Sequence, residues 1–256
     1  MAAKMGSALT AIILLALCTA TFEEEIFNSH MLDEETRLTR SHVTTPSKGY
    51  PKDCSGVKGT SGIYVIQPKR SPPIVVYCDM TTEGGGWTMI QRNTRYSKIT
   101  WNEYWTAYKF GFGNILKDHW LGNEHVYNII NQGIYQIKFL LKSSNSVTFN
   151  ADYDSFSMAN EANGYQLHLG RYSGNATNAL MQYGNNFVHD NMKFTTADRD
   201  QDLASYNCAA SIRGGFWFNN CYRVNLNSKT SIYWYKICYG NCKSSQILIR
   251  PSKLCL

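Results

Sequence analysis

The segment Asp198-Arg199-Asp200-Gln201-Asp202 sets three aspartates at alternate positions. If the backbone coils as a loop, the three carboxylates can turn toward one point. Oxygen donors of this kind suit a hard cation, and Ca2+ accepts irregular loop geometry better than Mg2+ does. A solvated surface turn would show the same spacing. An EF-hand is excluded: its loop needs Gly at position six and Glu at position twelve, and here those positions hold Leu203 and Ala209. Cys208 follows, then Gly214-Gly215-Phe216-Trp217-Phe218-Asn219-Asn220-Cys221. A Cys208–Cys221 disulfide would hold such a loop shut.

Catalytic patterns do not emerge. The chain has no Gly-x-Ser-x-Gly, no His-Glu-x-x-His and no glycine-rich dinucleotide turn. Its six histidines lie apart. His119 beside Trp120 and His125 within a helical pattern read as structural. Gly84-Gly85-Gly86 leads into Trp87 rather than Lys-Ser/Thr, so it is a turn and not a phosphate loop. These absences point to a protein that is not an enzyme.

The elements that must position the aspartate loop begin after a leader. Residues 1–20 read as a secretory signal, with Lys4, an apolar centre from Ala11 to Leu17, and the small residues of Cys18-Thr19-Ala20 before a cut. The apolar run is too short to span a bilayer, so a secreted, soluble chain is expected. Residues 21–48 hold six acids against Arg37, Arg40 and Lys48 and read as an acidic linker or short helix. They contain neither a sustained heptad nor a Gly-X-Y run. Residues 49–256 carry 21 Lys+Arg against 13 Asp+Glu. The basic residues are scattered rather than clustered. That pattern argues against nucleic-acid binding and is compatible with anionic partners such as cell-surface glycans.

At Asp53-Cys54 the character changes. Residues 61–66, 74–78 and 87–92 are β-branched or aromatic runs broken by Ser71-Pro72-Pro73 and Glu83-Gly84-Gly85-Gly86. They predict a small antiparallel sheet. Cys54 and Cys78 bracket its first two strands and are expected to pair, which closes a ring worth roughly 3 kcal/mol in the loop-entropy picture. Asn123 can cap a helix carrying Val126, Ile129 and Ile130 on one face, with Gly133 as its stop. Residues 134–140 alternate as a strand. Asn175-Ala176-Thr177 is a glycosylation sequon in a glycine-flanked loop.

These motifs together resemble the fibrinogen C-terminal (fibrinogen-like) domain family. The resemblance rests on Asp53-Cys54, Gly62-Ile63-Tyr64, Tyr77-Cys78-Asp79-Met80, Gly85-Gly86-Trp87-Thr88, Trp120-Leu121-Gly122-Asn123-Glu124, the aspartate run, Asn207-Cys208-Ala209, Gly215-Phe216-Trp217-Phe218 and Asn225-Leu226-Asn227. It covers nearly all of residues 50–251. It implies an α+β domain over residues 49–256: a twisted antiparallel sheet with short helices and a disulfide-closed, loop-rich calcium and ligand subdomain. By the resemblance, Ca2+ is held by the side chains of Asp200 and Asp202 and the carbonyls of Ala204 and Tyr206. It also implies disulfides Cys54–Cys78 and Cys208–Cys221, a cis peptide at Asn220–Cys221, and a ligand pocket at Asn220, Cys221 and Tyr222.

Members of this family bind rather than catalyse. The expected function is recognition of an extracellular protein receptor or glycoconjugate. The alternative is an innate-immune lectin for acetylated sugars, in the manner of ficolins and tachylectins. Two departures bear on the choice. The segment Ser228-Lys229-Thr230-Ser231-Ile232-Tyr233-Trp234 lacks the aromatic-small pair that walls an acetyl pocket, and Ser211, Ile212 and Lys229 stand where fibrinogen places acids for a basic peptide.

Removing Cys18 with the leader leaves seven cysteines, an odd number in an oxidising compartment. Cys238 and Cys242 can close locally through Gly240-Asn241, which frees Cys255 to link a second chain. The other arrangement closes Cys255 onto Cys238 or Cys242.

Overall fold

The structure, a computed structural model, describes residues 49–253. The leader, the acidic segment 21–48 and Cys255 lie outside the described residues. Strands β1 (Gly62–Ile66), β2 (Ile74–Asp79) and β3 (Trp87–Asn93) form antiparallel neighbours. Cys54 is bonded to Cys78, so β2 is fastened to the 3-10 turn Cys54–Gly56. The Asp53 side chain opens that turn by accepting from Ser55 N–H at 2.7 Å.

The sequence pattern foresees those three strands as a small sheet, whereas they belong to a ten-stranded one. After β4 (Phe112–Gly113) and β5 (His119–Trp120) come β6 (Tyr135–Lys142), β7 (Thr148–Met158), β8 (Leu167–Leu169) and β9 (Tyr172–Gly174). The last strand, β12 (Ser244–Pro251), inserts between β3 and β6 and gives the order β1-β2-β3-β12-β6-β7-β8. The C-terminal strand is therefore central, which propensity along the chain cannot reveal. β10 (Val224–Asn225) and β11 (Tyr233–Trp234) make a separate two-stranded ribbon.

Helix α1 (Trp105–Phe110) and helix α2 (Asn123–Ile130) are short. The residue at the N-cap of α2 is Gly122, not Asn123. Asn123 is the first helical residue and is buried. Val126, Ile129 and Ile130 are buried together, as the 3.6-residue period requires. The helix ends at Asn131, two residues before Gly133.

One irregularity in β3 decides what the sheet carries. Met89 pairs with Leu248 and Gln91 with the adjacent Ile247, so Ile90 is an extra residue. A bulge of this kind bends the strand and re-aims the side chains beyond it. Trp87 and Met89 accordingly pack with Leu248 in a small cluster, separate from the main core. That cluster is covered by Lys138, which pairs with Glu83 at 2.9 Å and Asp152 at 2.5 Å, and by Arg250 stacked 4.1 Å above Trp87. Past the bulge, Gln91 and Asn93 turn to the loop-rich half of the molecule. Gln91 Nε2 donates to Leu226 O at 3.0 Å and Asn227 Oδ1 at 3.1 Å, and Asn93 Nδ2 donates to Leu226 O at 2.9 Å and Ser228 O at 2.8 Å.

The main core is aromatic where it meets those loops. Phe194 lies among Tyr108, Trp120 and Trp217, with ring centroids 5.2, 5.7 and 5.1 Å away. Tyr108 also spends its hydroxyl on the loops: it donates to Trp101 O at 2.7 Å and accepts from Gly215 N–H at 2.8 Å. Gly215 has no room for a side chain, because a Cβ there would lie 2.7 Å from the Tyr108 ring.

Candidate recognition and cation site

The aspartate loop leaves the core at Thr195 and Thr196, both buried. It does not bring three carboxylates together. Asp198 Oδ1 accepts from Trp105 N–H at 2.8 Å and from Thr196 Oγ1–H at 2.7 Å. This carboxylate therefore satisfies the start of α1. The Arg199 guanidinium stacks 3.9 Å over the Trp105 ring. The first aspartate of the run is thus an anchor, and the convergence of three expected from spacing is corrected to two.

Asp202 is held from both sides. Its Oδ1 accepts from Ala204 N–H at 3.0 Å and its Oδ2 from Cys208 N–H at 2.9 Å. Asp200 is exposed, and its Oδ1 lies 3.4 Å from Asp202 N. Burial pushes the Asp202 carboxyl above its ordinary value, and the neighbouring Asp200 charge adds to that, against the two N–H donors. Among the described residues, the carbonyls of Ala204 and Tyr206 accept no hydrogen bond. The donors this loop offers, the neighbouring Asp200 and Asp202 carboxylates and backbone carbonyls without a partner, are all oxygen, which suits a hard cation. No group of three or more His, Cys, Asp or Glu side chains suited to a metal occurs among the described residues.

Asn207 closes the loop. Its Oδ1 accepts from Ala210 N–H at 2.8 Å and so caps helix α3 (Cys208–Ile212), while its Nδ2 donates to Thr196 O at 3.0 Å. Cys208 is bonded to Cys221, and the Asn220–Cys221 peptide is cis. Tyr206 places its hydroxyl 3.4 Å from Cys221 Sγ. Tyr222 is half-buried between Phe218 and Tyr233, at centroid distances of 6.0 and 5.4 Å. The structure therefore places Tyr206 and the Asn220–Cys221–Tyr222 turn beside one cystine. A third bridge joins Cys238 to Cys242. Asn175 is exposed and accepts from Asn150 N–H at 2.7 Å.

Two residues that sequence reasoning passed over hold this face in place. Asn219 Nδ2 donates to Asn185 O at 3.1 Å and Val188 O at 2.9 Å. His189 is fully buried. Its Nδ1 lies 2.7 Å from Trp217 O, and its Nε2 lies 3.0 Å from the N–H groups of Arg223 and Val224. A carbonyl can only accept and an amide can only donate, so the proton sits on Nδ1 and Nε2 is the acceptor. The ring clamps the chain on both sides of Cys221. No spacing rule marks a histidine that bonds only to backbone.

The geometry thus defines a disulfide-stapled domain whose aspartate loop and cystine-linked turns stand on an antiparallel sheet. The chain belongs to the fibrinogen C-terminal domain family. The model for the fibrinogen beta and gamma chains, C-terminal globular domain, matches residues 50–249. The chain is 49% identical over 198 residues to a fibrinogen-like protein 1-like protein of Gallus gallus, covering 76% of this chain and 70% of that one. It is 38% identical over 213 residues to Techylectin-5A of Tachypleus tridentatus, covering 79% and 71%. The fibrinogen-like globe domain of human ANGPTL6 superposes with a TM-score of 0.73 at 34% identity, covering 83% of this chain and all of that one. The family's members are non-enzymatic.

The His189 clamp has a pH signature. Burial pushes its imidazole down to about 4 from an ordinary 6.5, and the Trp217 carbonyl pulls weakly the other way. Between those values the unfolded chain binds a proton that the folded chain refuses. Stability is therefore complete above the unfolded value and falls as the pH drops through this window, by about 3 kcal/mol in all. Denaturant unfolding at pH 7 and pH 5 checks this. Wild type should lose about 2 kcal/mol more than His189→Gln does over that interval, and His189→Gln should be the less stable of the two at pH 7.

Proposed function

We propose that this protein is a secreted, non-catalytic recognition protein, and that its calcium-stabilised loop face binds an extracellular receptor or glycoconjugate. The observation that carries the reading is the stretch from Asp200 to Tyr206, in which no backbone carbonyl accepts a hydrogen bond among the described residues, next to the carboxylates of Asp200 and Asp202; the family resemblance picks Ala204 and Tyr206 from it. A calcium ion bound there supplies the positive charge that the two crowded carboxylates lack. Asp202 passes that restraint to Cys208 through its N–H bond, and the cystine passes it to the Asn220–Cys221–Tyr222 turn. No helix among the described residues is long and apolar enough to cross a membrane, and the leader-like residues 1–20 favour secretion.

The likeness to Techylectin-5A supports a lectin as the second reading. The short Ser228–Trp234 segment, without the aromatic-small pair, favours the first. An array of acetylated sugars, probed with and without chelator, separates them. Robust calcium-dependent capture of acetylated sugars would replace the first reading by the second.

The calcium claim has a direct readout. A ligand that binds only the native state adds RT ln(1 + [L]/Kd), so millimolar calcium over a site of ~10 μM adds ~2.7 kcal/mol. Chelation should lower the melting temperature of wild type by several degrees, and Asp200→Ala should melt at one temperature in both buffers. Identical melting of wild type with and without calcium contradicts the reading.

The six described cysteines are all paired, and we extend the reading to a homodimer linked through Cys255, which lies outside the described residues. On a non-reducing gel the secreted protein should run at twice its mass, and Cys255→Ser should run as a monomer. A wild-type monomer would rule the link out.

A further inference from the structure

We propose that a patch of cations and tyrosines beside the Tyr222 turn is a binding site for an anionic, sulfated glycan. The proposal deepens the recognition reading above and rests on it for the role of this face. Its centre is Arg223. The guanidinium carbon lies 4.1 Å from the Phe187 ring centroid and 4.8 Å from that of Tyr235, while Nε donates to Tyr183 O at 3.0 Å. Lys236 adds a second charge, with Nζ 4.9 Å from the Tyr183 centroid and 5.7 Å from that of Tyr235. Tyr183 and Tyr235 pack at 5.0 Å, and Tyr239, which is 66% exposed, lies 6.5 Å from Tyr235.

Three features point to a ligand rather than to packing alone. Neither Arg223 nor Lys236 pairs with a carboxylate among the described residues, although four ion pairs form elsewhere. The hydroxyls of Tyr183, Tyr235 and Tyr239 likewise have no hydrogen-bond partner there. Two members of the patch, Tyr183 at φ 73° and Lys236 at φ 62°, sit in the left-handed region. That region is uncommon for such residues, and backbone cost of this kind concentrates at ligand-binding sites.

The chemistry selects the ligand class. The Arg223 guanidinium, close to two rings, spends only its Nε on the protein and keeps its outer N–H groups for planar or tetrahedral oxyanions. The tyrosine faces offer apolar area to the C–H side of a sugar ring, and their free hydroxyls can donate to or accept from its own hydroxyls. Tyr and Arg also anchor protein interfaces; the two cations without a carboxylate partner among the described residues are what favour a polyanion here. The 21 Lys+Arg against 13 Asp+Glu over residues 49–256 also favour attraction of a polyanion.

Calorimetry on the full secreted chain in calcium tests the proposal, with a heparin-derived octasaccharide, its fully desulfated and re-acetylated form, and an octaglutamate peptide as probes. Wild type should bind the sulfated octasaccharide, more weakly as salt rises, and should not bind the other two. Lys236→Glu should weaken binding about tenfold, whereas Lys58→Glu, an equal charge change on an exposed residue elsewhere, should leave it within about twofold. Both variants should melt like wild type. The inference is overturned by absence of binding to the sulfated octasaccharide, by equal binding of its desulfated form or of octaglutamate, or by equal loss in the two variants. Failure of the octasaccharide while calcium-dependent binding to cells persists would sink this inference alone and leave the recognition reading standing.

Discussion

The side-chain amides of Gln91 and Asn93 are the points at which an ordered sheet takes hold of an irregular half-molecule. Both residues are fully buried, and both spend their donors on the carbonyls and side chains of residues 226–228. A buried carbonyl left without a partner costs about 1–3 kcal/mol. Regular structure meets that demand with a ladder; residues 176–243 contain only α3, a 3-10 turn and the β10–β11 ribbon. Their backbone has to be satisfied by side chains instead. The bulge at Ile90 makes this workable. It lets one strand face a small tryptophan cluster with its first half and the loops with its second.

The same logic repeats outward. Asn227 Nδ2 reaches Gly215 O at 3.0 Å, Tyr108 holds Gly215 N, Asn219 holds residues 185 and 188, and His189 holds residues 217, 223 and 224. Each link fixes a short stretch to one already fixed. In the stretch from Asp200 to Tyr206 no backbone carbonyl accepts a hydrogen bond among the described residues, those of Ala204 and Tyr206 included. A cation at that place would complete a pattern that the protein's own donors leave unfinished. A surface built this way is rigid without being regular, which suits recognition by loops on a fixed scaffold.

Much of this was legible from residues alone. The apolar runs at 61–66, 74–78 and 87–92 match the first three strands to within a residue at each end, because alternation and turn residues act locally. The family resemblance, and with it the fold, followed from motifs such as Asn207-Cys208-Ala209. What could not be read depends on distant partners. The placing of β12 between β3 and β6 is a topological fact with no local signal. Asp198 looked like its two neighbours and yet serves Trp105, 93 residues away. His189 and Asn219 bond to backbone only, so neither completes a recognisable motif. The helix at Asn123 begins one residue earlier than its sequence suggests, because Gly122 takes the φ of 111° that the junction with α1 imposes.

In the function proposed above, calcium holds the loop face and not the sheet. Native-state hydrogen exchange, followed by residue, resolves the two directly, since local opening is read separately from global unfolding. On chelation, amides from Leu203 to Cys208 and at Arg223 and Val224 should lose protection together, while those of β6 and β12 keep theirs. Unchanged protection in the loop, or an equal loss throughout the sheet, would contradict the account.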